Sequence, residues 1–160
     1  MSSRPTSEDA RSIEAANTSF YTAVETGDLD LLEALWVNGS QADDAVCVHP
    51  GWPPLRGRSE VLRSFAVILA NTPYIQFFLT DVDVRVTADV AVLTCVENIL
   101  TGLPGGEEPG EEPLGFAGGK VVTTNVFRRT RAGWRMWLHH ASPVLADEED
   151  EDADDDEEAR

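Results

Sequence analysis

Asp43-Asp44-Ala45-Val46-Cys47-Val48-His49-Pro50-Gly51-Trp52 reads as a short apolar strand, a histidine at its end, a Pro-Gly turn and an aromatic. Proline presets a turn angle and glycine takes left-handed ones, so the pair stops the strand at His49. A few residues on, Gly57-Arg58-Ser59 leads into Val61, Leu62, Phe65, Ile68 and Leu69. These apolar positions recur at helical spacing and predict a helix from Ser59 to about Ala70. His49 is therefore expected at the end of a strand, at the entrance to a helix, where a side chain is well placed to meet a ligand.

Upstream, Ser7-Glu8-Asp9 starts a helix with acids in its first turn, which suits the helix dipole. Ile13, Ala16, Phe20, Ala23 and Val24 form its apolar stripe. Gly27 ends it, and Asp28 caps a second helix carrying Leu29, Leu31, Leu32, Leu35 and Trp36. Downstream of Asn71-Thr72-Pro73 the pattern turns to strands. Tyr74 to Leu79 is one, and Val82, Val84 and Val86 alternate with acids and Arg85 as in a half-exposed strand. Val90 to Thr101 is a long strand. Leu103 to Gly119, rich in Gly, Pro and Glu, reads as a long mobile loop and a candidate lid. Val121 to Arg128 and Trp134 to Ser142 pair across a turn at Arg131-Ala132-Gly133. Helices segregated from an antiparallel meander argue an α+β fold.

Composition bounds the rest. At 160 residues and 42% hydrophobic, one domain with a real core is expected, spanning 7–146 after a disordered 1–6. The formal charge is -17, and a disordered acidic tail, 147–160, holds 11 acids and one Arg. An acidic body and tail argue against nucleic acid, whose binding needs Lys and Arg to neutralise phosphates. No stretch approaches the apolar length of a membrane span, and Met1-Ser2-Ser3-Arg4-Pro5 lacks a leader's apolar run. The expected protein is cytoplasmic. Cys47 and Cys95 form no metal-binding spacing and read as small buried hydrophobes. No Gly-rich phosphate loop and no Gly-x-Ser-x-Gly elbow is present, so no cofactor is expected.

Several landmarks now stand in a recognisable order. They are Thr26-Gly27-Asp28, Ala42-Asp43-Asp44-Ala45, His49-Pro50-Gly51, Pro53-Pro54-Leu55-Arg56-Gly57-Arg58, Gly133-Trp134 and His140-Ala141-Ser142. In this order the chain resembles the nuclear transport factor 2-like superfamily from roughly Glu8 to Pro143. That superfamily includes ketosteroid isomerase, SnoaL-type cyclases, scytalone dehydratase and the association domain of calcium/calmodulin-dependent kinase. The resemblance implies a cone of curved mixed or antiparallel sheet, three helices from the first half of the chain, a deep pocket and dimers through the sheet. It also places His49 where the isomerase has its general base, an aspartate. The isomerase's oxyanion-hole tyrosine falls on Phe20, with Tyr21 expected to face elsewhere on the helix. Its second donor, a protonated aspartate, falls on Asn125. All three positions differ, so steroid isomerisation is not implied.

The residues themselves allow two readings each. His49 is a general base, since imidazole titrates near neutrality, or a histidine hydrogen-bonded at a strand end. Asn125 contacts a ligand or bonds a neighbour, because an inward amide needs partners. Strict alternation along the last strand turns Trp134, Met136, Leu138 and His140 inward and Trp137 and His139 outward. Cys95 and Glu97 share a face; Glu97 either pairs with His140 or is a solvated or interface residue. His139 and His140 point to opposite faces, so they do not share a metal ion. The expected site has His49 and Asn125 as catalytic residues, with Phe20, Trp52, Cys95, Glu97, Phe127 and His140 lining the pocket. The expected ligand is a small apolar organic molecule, handled by cofactor-free proton transfer of the isomerase, dehydratase or cyclase kind. The alternative is a non-catalytic binding or self-association module. A homodimer is expected through an outer face carrying Thr124, Val126, Trp137 and His139.

Overall fold

The computed structural model describes residues 7–102 and 116–145. The N-terminal residues 1–6, the stretch 103–115 with its expected lid, and the acidic tail lie outside the described residues. Three helices come first: α1 (Ser7–Thr26), α2 (Leu29–Leu35) and α3 (Arg58–Asn71). Strands β1 (Val46–Val48) and β2 (Leu55–Arg56) separate α2 from α3. The long strands β3 (Ile75–Thr87), β4 (Val90–Gly102), β5 (Phe116–Thr130) and β6 (Gly133–Pro143) follow. All lie in one six-stranded sheet in the order β2-β1-β6-β5-β4-β3, with β1 parallel to β6 and the other pairs antiparallel. The fold is α+β, a curved mixed sheet with the helices against its inner face.

Local chemistry sets the helix joints. Gly27 sits at φ +69°, its N–H bonds Val24 O at 3.3 Å and the Asp28 N–H bonds Ala23 O at 2.8 Å. This paired closure needs a left-handed residue, which glycine supplies without strain. Asp28 then accepts the Leu31 N–H on Oδ1 at 3.0 Å and starts α2. The far end of α2 is closed by a side chain from α3. Arg58 donates to Glu33 O at 2.7 Å, Trp36 O at 3.0 Å and Val37 O at 3.2 Å. A planar guanidinium satisfies three carbonyls at once, which a lysine ammonium does not match in geometry. Arg58→Lys should therefore lower stability by about 1–2 kcal/mol, read as a shift of the urea midpoint; an unchanged midpoint would remove Arg58 as the α2–α3 clasp.

The core lies between α1, α2, α3 and the concave sheet face. Trp36, Phe20 and Phe127 are its largest fully buried side chains, each contributing roughly 2–3 kcal/mol by removal from water. The sequence breaks at Leu79–Val82 because β3 is one strand with an irregularity, not two segments. Its register against β4 shifts between Thr80 and Asp83, and Asp81 takes φ +54°. Phe116 to Gly119, expected in the loop, instead pair with Gly102 to Ile99 as the start of β5. Bulges add twist and bend a strand, and the sheet carries a second one that decides the site.

That second bulge lies in β6. Val126 pairs with Leu138 and Phe127 with Met136, so Trp137 is an extra residue. Beyond it the alternation inverts. His139 and Ala141 turn inward, 5% and 2% exposed, while His140 is exposed on the outer face. The expected inward Leu138 and His140 and outward His139 are corrected accordingly. Trp137 is held in place by its indole N–H, which donates to Asp44 O at 3.0 Å, and by the Arg128 guanidinium 3.9 Å over its ring.

Candidate functional site

The Pro-Gly turn builds one wall of a cavity. The Trp52 N–H bonds His49 O at 2.9 Å and Gly51 sits at φ +80°, as a turn with Pro at the second and Gly at the third position requires. The turn sets the Trp52 ring edge-on to His49, centroids 4.9 Å apart, and Phe65 from α3 meets the imidazole from another side at 4.9 Å. Behind them is a cavity of about 310 Å³. Phe20, Val24, Ile68, Ile75, Phe77 and Ile99 supply apolar lining, and His49, His139, Glu97 and Tyr21 supply polar lining. Trp52, 42% exposed, stands at its mouth. A larger groove of about 720 Å³ beside Gly39–Gln41 and the β5–β6 turn is an open surface feature away from these groups.

A buried polar network supports the cavity floor. Tyr21 and Thr123 each donate a hydroxyl to Glu97 Oε2 at 2.6 Å. Asn125 Nδ2 donates to Asn17 Oδ1 at 2.8 Å and to the Tyr21 oxygen at 3.3 Å. That fixes the amide so that Asn125 Oδ1 accepts from His139 Nδ1 at 2.6 Å. His139 is therefore the Nδ1–H tautomer with its Nε2 lone pair free. Ser64 sends its own proton to Val61 O at 2.6 Å, so the 2.8 Å contact with His49 Nε2 is a donation from the imidazole. His49 is thus the Nε2–H tautomer, and its Nδ1 has only the Cys47 thiol, 3.8 Å away.

Burial shapes the protonation states. Loss of solvent pushes His49 down to about 4. The same cause, joined by the neighbouring His49 and His140, pushes His139 down to about 3. Both imidazoles are neutral at pH 7. Burial pushes Glu97 above the usual carboxyl range, while the bonds from Thr123 and Tyr21 pull the other way. Burial and the adjacent Glu97 charge push Tyr21 up, so its phenol stays protonated. Burial also pushes the Cys47 thiol up to about 12 and Cys95 up to about 11. Neither thiol is a nucleophile at neutral pH.

The expected site residues fall into three groups. His49, Phe20, Trp52 and Glu97 line the cavity. Asn125, Cys95 and Phe127 face inward but lie beneath the lining, at 0%, 2% and 1% exposure. Asn125 takes the neighbour-bonding alternative and acts through His139 and Tyr21. His140 is exposed on the convex face and is not part of this cavity's lining; Glu97 finds Tyr21 and Thr123 in its stead. Tyr21 does not face away: it turns into the core beside Phe20, ring centroids 5.0 Å apart. Asn17 and Tyr21 stand four residues apart on α1, a spacing visible in the sequence that places them on one helix face. His139 had no such signal, because its orientation depends on one extra residue in β6. Among the described residues, no group of three or more His, Cys, Asp or Glu converges in a way that holds a metal ion, and no helix is long and apolar enough to cross a membrane.

Comparison with known proteins places this architecture. Residues 13–147 match the SnoaL-like domain. A candidate dehydratase of the NTF2-like family from Streptomyces avermitilis is 54% identical, with 87% of this chain and 98% of that one covered at a TM-score of 0.80. A candidate calcium/calmodulin-dependent protein kinase type II association domain from Thiobacillus denitrificans is 32% identical, with 82% and 94% covered at a TM-score of 0.66. The F-box protein SKIP8 of Arabidopsis thaliana is 27% identical over 139 residues, 87% of this chain. The chain spans about half of that relative's length, 52%. With its family domain covering most of the sequence and its sheet and helices arranged as in these relatives, the chain belongs to the SnoaL-like family of the nuclear transport factor 2-like superfamily.

Proposed function

We propose that the cavity binds a small, largely apolar molecule and catalyses proton transfer on it without a cofactor, with dehydration as the favoured reaction. The observation that carries this reading is the unspent lone pair of His139 Nε2 in a mostly apolar cavity that the Glu97 carboxyl also lines. In a dehydration, His139 Nε2 removes a proton from a carbon next to the one bearing the hydroxyl. The imidazolium returns that proton to the departing hydroxyl; the C–O bond breaks, a C=C bond forms and water leaves. Glu97 orients the hydroxyl and stabilises the transient imidazolium. Asn125 holds His139 in the required tautomer, and His49 forms a wall fixed by Ser64. The strong likeness to a candidate dehydratase supports the same class.

The test uses exchange. A panel of small β-hydroxy ketones in heavy water should incorporate deuterium next to the carbonyl in the presence of the protein. His139→Gln should reduce that exchange by about 100-fold or more, the usual size of general-base catalysis. Full exchange in His139→Gln would move the base elsewhere. Tight binding of panel members without exchange would favour the binding-module reading.

Self-association has its own support. On the convex face Val92, Val126 and Leu138 lie in register, as do Val96 and Val122, giving a band of two apolar rows with Thr94, Thr124 and His140 between them. Val122 is 48% exposed. Thr124, Val126 and Trp137 belong to this face, while His139 does not. Such a band is more apolar than a solvated sheet face needs to be. Light scattering should give twice the chain mass of 17.5 kDa, and Val122→Glu should return it to the monomer; a wild-type monomer at high micromolar concentration would refute the dimer.

A further inference from the structure

The polar hydrogens at the cavity floor are already spent. The Tyr21 and Thr123 hydroxyls both go to Glu97 Oε2. The His139 Nδ1–H goes to Asn125, and the His49 Nε2–H goes to Ser64. Both Asn125 amide hydrogens go to Asn17 and Tyr21. What remains at the floor is of one kind; of the other polar lining groups, Thr101 donates to Ala117 O at 3.4 Å and Trp52 stands at the mouth. His139 Nε2 and Glu97 Oε1 make no bond to the protein. Among the described residues the buried side-chain polar atoms without a partner are Trp36 Nε1 and Gln41 Oε1. Neither cavity atom is among these, so both are open to the cavity they line. Both are acceptors. No Lys or Arg lines the cavity among the described residues.

We propose that the cavity selects ligands by a hydrogen-bond donor at its floor, so that its substrates carry a hydroxyl or amine there on an apolar or aromatic frame, with any carbonyl placed away from the floor, and frames whose sole polar group is a carbonyl, carboxylate or phosphate are rejected. This rests on the proposed ligand-binding role of the same cavity and adds the polarity of what binds. The chemistry is a matter of matched partners. A ligand O–H or N–H satisfies Glu97 Oε1 or His139 Nε2, whereas a carbonyl oxygen faces two acceptors and leaves both unpaired. A site built to pair one polarity rejects the other far more strongly than it rejects a change in size. The Tyr21 and Thr123 hydroxyls, both donating to Oε2 at 2.6 Å, favour the ionised form of Glu97 against its burial, and in that form Oε1 is an acceptor. Burial keeps His139 neutral, so its Nε2 carries a lone pair and not a proton. A carboxylate or phosphate ligand would meet the Glu97 charge with no cation to offset it.

Four probes of one shape decide the matter: naphthyl ethanol, naphthyl ethylamine, naphthyl methyl ketone and naphthoate, titrated calorimetrically into the full chain at pH 8. The alcohol should bind at least about 10-fold tighter than the ketone, with naphthoate weakest. An amine tighter than the alcohol marks Glu97 as the dominant contact; an alcohol equal to the amine marks His139. Either order supports the donor rule. Glu97→Gln is isosteric, lets the amide oxygen keep the Tyr21 and Thr123 bonds, and puts an N–H into the cavity. It should raise ketone affinity relative to alcohol. Ketone binding as tight as alcohol in the wild type overturns the donor rule while leaving ligand binding and proton transfer intact. An unchanged ratio in Glu97→Gln overturns the role of Glu97. No binding by any probe removes the cavity as a ligand site, and both readings fall with it.

Discussion

Asn125→Leu should destabilise the protein by roughly 3–5 kcal/mol, the largest single-residue effect expected in this fold. The amide is fully buried and bonds His139, Asn17 and Tyr21. Leucine has similar bulk, so the loss is one of pairing and not of packing. The His139 N–H and the Asn17 carbonyl are left unsatisfied, at about 1–3 kcal/mol each. Urea unfolding, with an unchanged slope and a lower midpoint, checks this. Asn125→Asp should be at least as damaging, because a second acceptor then faces Asn17 Oδ1 and the Tyr21 oxygen. A loss below about 1 kcal/mol in both variants would mean the network relaxes or takes in water.

Acid should unfold the protein through its two buried histidines. His49 falls to about 4 and His139 to about 3 in the folded state, against 6.5 for a free imidazole. Above pH 6.5 neither imidazole binds a proton in either state, so the full stability is present. As pH falls below 6.5 the unfolded chain gains protons that the folded one refuses. Stability is lost progressively until pH reaches the folded values. His49 alone accounts for roughly 3 kcal/mol of that loss. Glu97 works in the opposite sense. Its raised value contributes stability that is present below 4.5 and lost as pH rises through the folded value, so it softens the acid limb. Unfolding free energy measured from pH 8 to 4 should fall with a slope approaching about 2.7 kcal/mol per pH unit, two protons' worth. The double variant His49→Gln, His139→Gln should flatten it, and Glu97→Gln should steepen it. A wild-type curve flat between pH 6.5 and 4.5 would mean that the imidazoles are solvated.

The sequence by itself determined the order of elements, because each rests on local chemistry. Gly27 and Asp28 join α1 to α2, Pro50-Gly51 ends β1, and the apolar spacings of Val61–Leu69 and Val90–Thr101 fix a helix and a strand. His49, Trp52, Phe20 and Glu97 were legible as cavity residues for the same reason: their faces follow from turn geometry and from unbroken periods of 3.6 and 2. Tertiary structure decided the rest. An unpaired Trp137, held by Asp44 and Arg128 from elsewhere in the chain, exchanges His140 for His139 on the inner face. One residue in a period of two reverses every side chain beyond it, and no local pattern marks where the extra residue falls. Tyr21 likewise turns inward because Glu97, 76 positions away, offers it a partner. Which hydrogens remain free for a ligand is set by such long-range pairings alone, since a donor's fate depends on the acceptor that the fold brings to it.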